Sequence, residues 1–353
     1  MVLPTKSKGS VGLRGCFERQ RVKDIPAAFA ELYPTTFLQF VGRLFTSLFR
    51  FGVLAAVATH FMYFLVCDHP IKGSGILEAY LPQGVAALSF LRFSPNDTFL
   101  GLPLPALQLG AAICAAHLLT FIVCHTFYLV CDKTRWLSQY RLSRAPATIP
   151  SPALISKAAK SQSIALVVLH PAMAALGATY LMSADRGGMC AAVNFWDNVV
   201  LFGCAILFNE TGFYTVHRLL HEVPFLYRTI HKKHHEFIGS VSIAAEYSHP
   251  VEDILAAVVP TLGIFLVPGL PPMHPLFAFV WIAARSAETY EAHSGYCFHN
   301  TLLQKLGLLH SSHMAFHDFH HTVNKGNYGT SLLWDYLLGT DTFYTAKLAT
   351  AGV

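Results

Sequence analysis

Charge is what this chain has least of. Of its 353 residues only 13% are Asp, Glu, Lys or Arg, while 53% are hydrophobic. Soluble domains carry about 25% charged residues, so the deficit excludes an ordinary water-soluble globule and leaves an integral membrane protein. Cysteine lacks a pattern: the eight present lie scattered, mostly in apolar runs, with no Cys-x-x-Cys pair. That excludes a disulfide framework and a cysteine-built zinc finger. The net charge of +5 is modest and its basic residues cluster beside apolar runs, so no nucleic-acid function is expected. Residues 1–40 are basic but lack the apolar core and cleavage site of a secretory signal, and read as a cytosolic arm. No polar linker separates two cores.

Long uncharged runs are abundant instead. Spans are expected from about Leu44 to Val66, from Ala106 to Cys131, from Ser161 to Ala184 with a kink at Pro171, and from near Trp196 onward. The first, interrupted only by Arg50, and the next two exceed the roughly 20 residues that cross a bilayer, and the fourth runs uncharged from Asn198 to Asn209 before continuing into the first histidine cluster. The loop between the second and third spans holds Lys133, Arg135, Arg141, Arg144, Lys157 and Lys160 against Asp132 alone, which places it and the N-terminal arm in the cytosol. The loop after the first span is then lumenal, where the sequon Asn96-Asp-Thr98 belongs. From Ile254 to Ala284 the chain is again uncharged but broken by five prolines. It reads as a hydrophobic hairpin that splits near Gly269 and returns to its starting side. The expected architecture is therefore all-α: about four transmembrane helices plus a hairpin, under a cytosolic histidine-rich helical cap built from 217–250 and 288–345.

That cap is where the chemistry concentrates. His217-Arg-Leu-Leu-His221, His231-Lys-Lys-His234-His235 and His317-Asp-Phe-His320-His321 place eight histidines in three clusters, with His249 and His293 between the second and third. Positions i, i+3 and i+4 share a helical face, so the imidazoles within each cluster project together. Neutral imidazole binds zinc, copper, iron or nickel. Eight or nine convergent rings exceed what one ion accepts and imply two metals. A structural zinc site takes four ligands and usually includes Cys, and the His-Glu-x-x-His word of zinc proteases is absent. A dinuclear all-nitrogen site with open positions points to iron and oxygen chemistry. Glu210, Tyr214, His217 and His221 continue one helical face. An acid inside a span is costly and usually functional, so Glu210 is expected to hold a ligand imidazole, with Tyr214 beside it.

These residues resemble the fatty acid hydroxylase, or sterol desaturase, superfamily, whose H-x3-H, H-x2-H-H and H-x2-H-H words the three clusters meet. The flanking words Phe213-Tyr214, Glu236-Phe237, Ala245-Glu-Tyr-Ser-His-Pro-Val-Glu252, Arg285-x-x-Glu288, His293-Ser-Gly-Tyr296, Gly326-Asn-Tyr, Trp334-Asp and Gly339-Thr-Asp341 resemble its methylsterol monooxygenase branch. The resemblance covers about 196–345, a catalytic domain that follows a transmembrane region (41–195) and precedes a short tail (346–353). It implies two irons per chain, dioxygen, and electrons from NAD(P)H through cytochrome b5 and its reductase. It also implies a membrane sterol oxidised at its 4-methyl group, an endoplasmic reticulum location, and other sterol demethylation enzymes as partners. The metal ligands it implies are His217, His221, His231, His234, His235, His293, His317, His320 and His321, with His249 as a tenth ligand or a supporting group. Tyr214, Tyr247, Tyr290 and Tyr296 offer hydroxyls to a sterol. Departures at Cys297-Phe298-His299 and the extra His313 read as incidental. The same fold would serve a sphingolipid or fatty-acyl hydroxylase or a sterol desaturase. A histidine-rich metal transporter would need clustered histidines at mid-membrane depth, and His60, His117, His125 and His170 show no such spacing.

Overall fold

Inside a bilayer each backbone N–H and C=O needs an internal partner, which favours helix wherever the chain is apolar for long. The computed structural model describes residues 37–66, 98–99, 101–142, 149–183, 194–258, 274–298, 301–306, 308–309 and 312–350. Its first helix is α1 (Phe37–Val66). A two-stranded antiparallel hairpin, β1 (Thr98–Phe99) and β2 (Leu102–Pro103), leads into α2 (Leu104–Thr134). Ser151 opens α3 (Pro152–Ile164) by accepting from the Leu154 amide at 3.2 Å, and Pro152 sits where a missing N–H costs nothing. A π turn, Ala165–Leu169, joins α3 to α4 (His170–Ser183).

Asn194 caps α5 (Phe195–Glu222), accepting from the Asp197 amide at 3.1 Å. Its 28 residues reach about 42 Å at about 1.5 Å per residue, well beyond a hydrocarbon core of about 30 Å. The last turns, with His217 and His221, therefore project past the apolar layer. Above it lie α6 (Pro224–Thr229), a 3₁₀ turn (His231–Glu236), a second (Ser242–Ala244) and α7 (Pro250–Asp253), which runs into a π turn (Ile254–Val258). Helix α8 (Pro275–Ala292) returns through the bundle. Then come α9 (Leu302–Lys305), α10 (Ser312–Val323), α11 (Leu333–Leu338) and α12 (Thr342–Thr350).

Among the described residues, four stretches are long and apolar enough to cross a membrane: Leu38–Tyr63, Ala106–Thr134, Pro152–Thr179 and Phe195–Glu222. The all-α membrane architecture is as the composition requires, but two spans differ in detail. The first begins six residues before Leu44, and the third nine before Ser161, taking in Lys157 and Lys160. Pro171 does not break the helix. The widened turn at Ala165–Leu169 stands where its ring would meet the preceding carbonyls. The apex of the expected hairpin around Gly269, the residue Asn96 and residues 1–36 of the N-terminal arm lie outside the described residues, while the arm's last four residues, 37–40, already belong to α1.

The bundle inverts the soluble rule. Phe45, Phe49, Phe61, Leu119, Ile122, Val167 and Val168 face outward, while Ala55, Ala106, Ala178, Ala205 and Ala278 fill the centre with Phe202, Phe277 and Trp281. Lipid tails solvate the large side chains, so helix contact relies on close backbone approach at small ones. Gly52 of α1 is such a contact: a Cβ there would stand 2.6 Å from the Val199 carbonyl of α5. Helix α2 packs between α4 and α8, and α1 between α5 and α8.

Candidate metal centre

The three clusters and His293 meet above the bundle as two groups. His217, His221, His231, His235 and His320 form one; His234, His293, His317 and His321 form the other. Each i,i+4 pair stays within a group (217/221, 231/235, 317/321). The histidine at i+3 of the second and third clusters, His234 and His320, crosses to the other. On the α-helix α10, i and i+4 are nearly in line, whereas i+3 diverges to the side; His231–Glu236 is a 3₁₀ turn, so the separation of His234 from His231 and His235 follows from packing rather than from that spacing. Each H-x2-H-H word therefore serves both groups and locks them together.

Within the first group the Nε2 atoms of His231 stand 3.1 Å from His217, 2.8 Å from His221 and 3.0 Å from His235, with His320 3.2 Å from His235. Within the second, His293 Nε2 lies 2.8 Å from His317, 3.2 Å from His321 and 3.3 Å from His234. Six of these rings are held by the opposite nitrogen. His217 Nδ1–H donates to the Tyr328 carbonyl (2.7 Å), His320 to Gly326 (2.6 Å), His234 to Tyr247 (3.3 Å), His293 to Thr289 (2.9 Å) and His321 to Phe237 (3.0 Å). His231 Nδ1 meets Glu252 Oε1 at 2.8 Å. A carbonyl only accepts, so the proton sits on Nδ1 and Nε2 presents a bare lone pair. Lone pairs facing one another at such distances repel unless a cation lies between them. This tethering by carbonyl or carboxylate is how protein-bound metals orient imidazole, and the donor set fits two metal ions.

The electrostatics agree. Burial is the main force lowering these imidazoles, and neighbouring rings mostly add to it. His234 falls to about 4, His293 to about 3 and His320 to about 4, while His231, His235, His317 and His321 fall well below their ordinary value. Near neutral pH all of them are uncharged, the form that binds metal. Burial also pushes Glu252 well above the usual carboxylate range, with Asp253 adding to it and Lys233 opposing. A cation on His231 would counter that.

Support comes from a turn after α10. Asn324, Gly326 and Asn327 take positive φ, which aims the Gly326 and Tyr328 carbonyls at His320 and His217. Asp335 accepts from the Tyr328 amide (2.9 Å) and the Gly329 amide (2.6 Å). Glu210 accepts from the Ser331 amide at 3.0 Å and from the Thr330 hydroxyl. The expectation that Glu210 holds an imidazole is thus corrected: it holds the loop that holds His217. Tyr214 contacts Thr340 at 3.1 Å and Arg218 at 3.2 Å, and no imidazole of the centre. His249 joins neither group. Its Nδ1 accepts from the Val251 amide at 3.2 Å and caps α7, because Pro250 turns the chain there into a new helix. His299 and the side chain of His313 lie outside the described residues. Sequence reasoning gave no role to Glu252 or Asp335. The only signal was an acid close behind His249-Pro250 and another behind Trp334.

A cavity of about 400 Å³ opens beneath the centre. Ile113, Met173, Ala178, Trp281 and Ile282 form apolar walls, and His217, His231, His234, His293 and His317 of both groups line one side. His117, His170 and Glu246 line it as well and form a third cluster.

A helical membrane bundle whose apolar cavity is lined by imidazoles of two polyhistidine groups defines the class: an integral membrane protein with a candidate metal centre beside an apolar cavity. The fatty acid hydroxylase family matches residues 202–340. Methylsterol monooxygenase 1 of Gallus gallus is 36% identical over 41% of this chain and 47% of its own length. A methylsterol monooxygenase of Arabidopsis thaliana is 35% identical over 39% of this chain and 51% of its own. The chain thus spans about half the length of these relatives. A very-long-chain aldehyde decarbonylase of Oryza sativa is 30% identical over 58% of this chain and 78% of its own length. No solved structure matches. The chain belongs to the fatty acid hydroxylase family.

Proposed function

We propose that this protein is a membrane-bound di-iron monooxygenase acting on a sterol, at the 4-methyl group of a biosynthetic intermediate. Its electrons would come from NAD(P)H through a reductase and cytochrome b5, in the endoplasmic reticulum membrane with the histidine groups facing the cytosol. One observation carries the reading: a single apolar cavity is lined by imidazoles of both groups. Nine neutral nitrogens without thiolate suit a borderline ion such as iron(II), although zinc and copper share that affinity; the preference for iron rests on the family. The methylsterol relatives are named for the substrate class proposed here.

Two irons held there would supply reductive activation of dioxygen toward an unactivated C–H bond. The remaining work belongs to the protein. The carbonyls of Tyr328, Gly326, Tyr247, Thr289 and Phe237 fix the rings, so the site is preorganised. Trp281, Ile282 and Met173 exclude water and seat an apolar skeleton. In net terms each round inserts one oxygen atom into a C–H bond and reduces the other to water with two electrons and two protons. Successive rounds carry a methyl group through alcohol and aldehyde to carboxylate. A second reading, a linear acyl or aldehyde substrate, is favoured by the decarbonylase match over most of that relative's length.

The test is incubation of membranes containing the protein with 4-methyl sterols, very-long-chain aldehydes and acyl lipids, under oxygen and reductant, with products identified by mass. Oxygenated sterol is expected. Turnover of only the linear lipids would replace the first reading with the second.

A further inference from the structure

The third cluster differs in kind from the other two. His117 comes from α2, His170 from the start of α4 and Glu246 from the loop before α7, and one ligating atom of each lies within 4.8 Å of the others. Its hydrogen bonds are complementary rather than repulsive. His117 Nε2–H donates to Glu246 Oε1 at 2.7 Å, and the Tyr290 hydroxyl donates to the same oxygen. The rings of His117 and His170 meet edge-on, centroids 4.8 Å apart. No cation is needed to reconcile these groups.

Two atoms are left over. Glu246 Oε2 and His170 Nδ1 are buried without a hydrogen-bond partner among the described residues, and both residues line the apolar cavity. Such atoms cost stability unless something in the cavity answers them. One is an acceptor only. The other, an imidazole nitrogen, can donate. A hydroxyl group answers both at once, giving its proton to Glu246 and accepting from His170. A bare hydrocarbon answers neither.

The cluster is also tied to the second polyhistidine group. Glu246 precedes Tyr247, whose carbonyl holds His234, and Tyr290 stands three residues before His293 on α8. A hydroxyl seated here would therefore fix which carbon of the lipid faces His234 and His293. We propose that Glu246 and His170 read a hydroxyl group on the lipid substrate and so set the position oxidised, the sterol 3-hydroxyl being that group under the reading above, on which this inference rests.

The experiment uses the full chain, metal-loaded and purified in detergent. Equilibrium competition against a radiolabelled sterol compares a 4-methyl sterol carrying a free 3-hydroxyl with its 3-deoxy counterpart. Wild type is expected to prefer the hydroxylated sterol by about tenfold or more, the effect of leaving a buried polar group unanswered. His170→Phe keeps the ring and removes the donor. Glu246→Gln keeps the contact to His117 and replaces the acceptor with a donor. Each should bring the preference below about threefold while metal content stays at the wild-type level. An unchanged preference in both variants overturns the inference and leaves sterol binding intact. Loss of a metal equivalent from both variants overturns it too, by making the cluster a metal site. Failure of wild type to bind either sterol overturns the sterol reading itself.

Discussion

His320 and His321 are adjacent in the chain, yet they face different groups, and each is held by a different carbonyl. Replacement of one ring should therefore strip one group before the other. His231→Ala or His320→Ala is expected to lower bound metal by about one equivalent and to reduce sterol oxidation by more than 100-fold, beyond the roughly 10- to 100-fold typical of supporting residues. Metal analysis and turnover at matched expression measure it. His249→Ala should keep both within about twofold and lose only about 1 kcal/mol as a helix cap. A metal-depleted His249→Ala would restore it to the ligand set. Glu252→Gln belongs between these, because it leaves His231 in place but removes the charge behind it.

At the scale of the element, the turn 324–331 governs the first group. Its carbonyls hold His217 and His320, and Asp335 and Glu210 hold the turn. Gly326 has φ +74°, and a Cβ there would stand 2.4 Å from the Thr340 carbonyl. Gly326→Ala is expected to shift the turn, lower the melting temperature and deplete the first group selectively. The metal count per chain should fall toward one rather than zero, as should that of Asp335→Asn. Equal loss from both groups would show instead that the cap unfolds as a unit. Glu210→Gln keeps one acceptor for the Ser331 amide, so measurable turnover should survive.

For the whole molecule, acid should act on the metal-free protein in a defined direction. His234 and His320 titrate near 4 in the fold, against an ordinary value of 6.5. The unfolded chain then binds more protons between those limits, so stability falls as pH drops from about 6.5 to about 4. Thermal unfolding of metal-free protein across that range should show a declining midpoint, and bound metal should reduce the decline. A flat profile would place these imidazoles in contact with water. The proposed orientation is tested separately: an epitope within 136–150 should be cleaved by protease in sealed microsomes, and protection would invert the topology.

Local order explains what was legible from residues alone. A long proline-poor run without charge makes a membrane helix, and a four-residue step puts His217 with His221 and His317 with His321 on one α-helical face; His231 and His235, on a 3₁₀ turn, are brought together by packing. The four spans and the helical cap follow from those short-range facts. Where the long-range pairs fall does not. His234 and His320 cross between groups because the turn 324–328 and the Tyr247 carbonyl lie where packing puts them. His249 faces away because Pro250 starts a helix, and Glu210 reaches a loop 120 residues distant. His117, His170 and Glu246 have no common spacing, and stand together only because α2 packs against α4 beneath the cap. Periodicity specifies a residue's direction from its own helix axis; what it meets in that direction is set by how the helices pack.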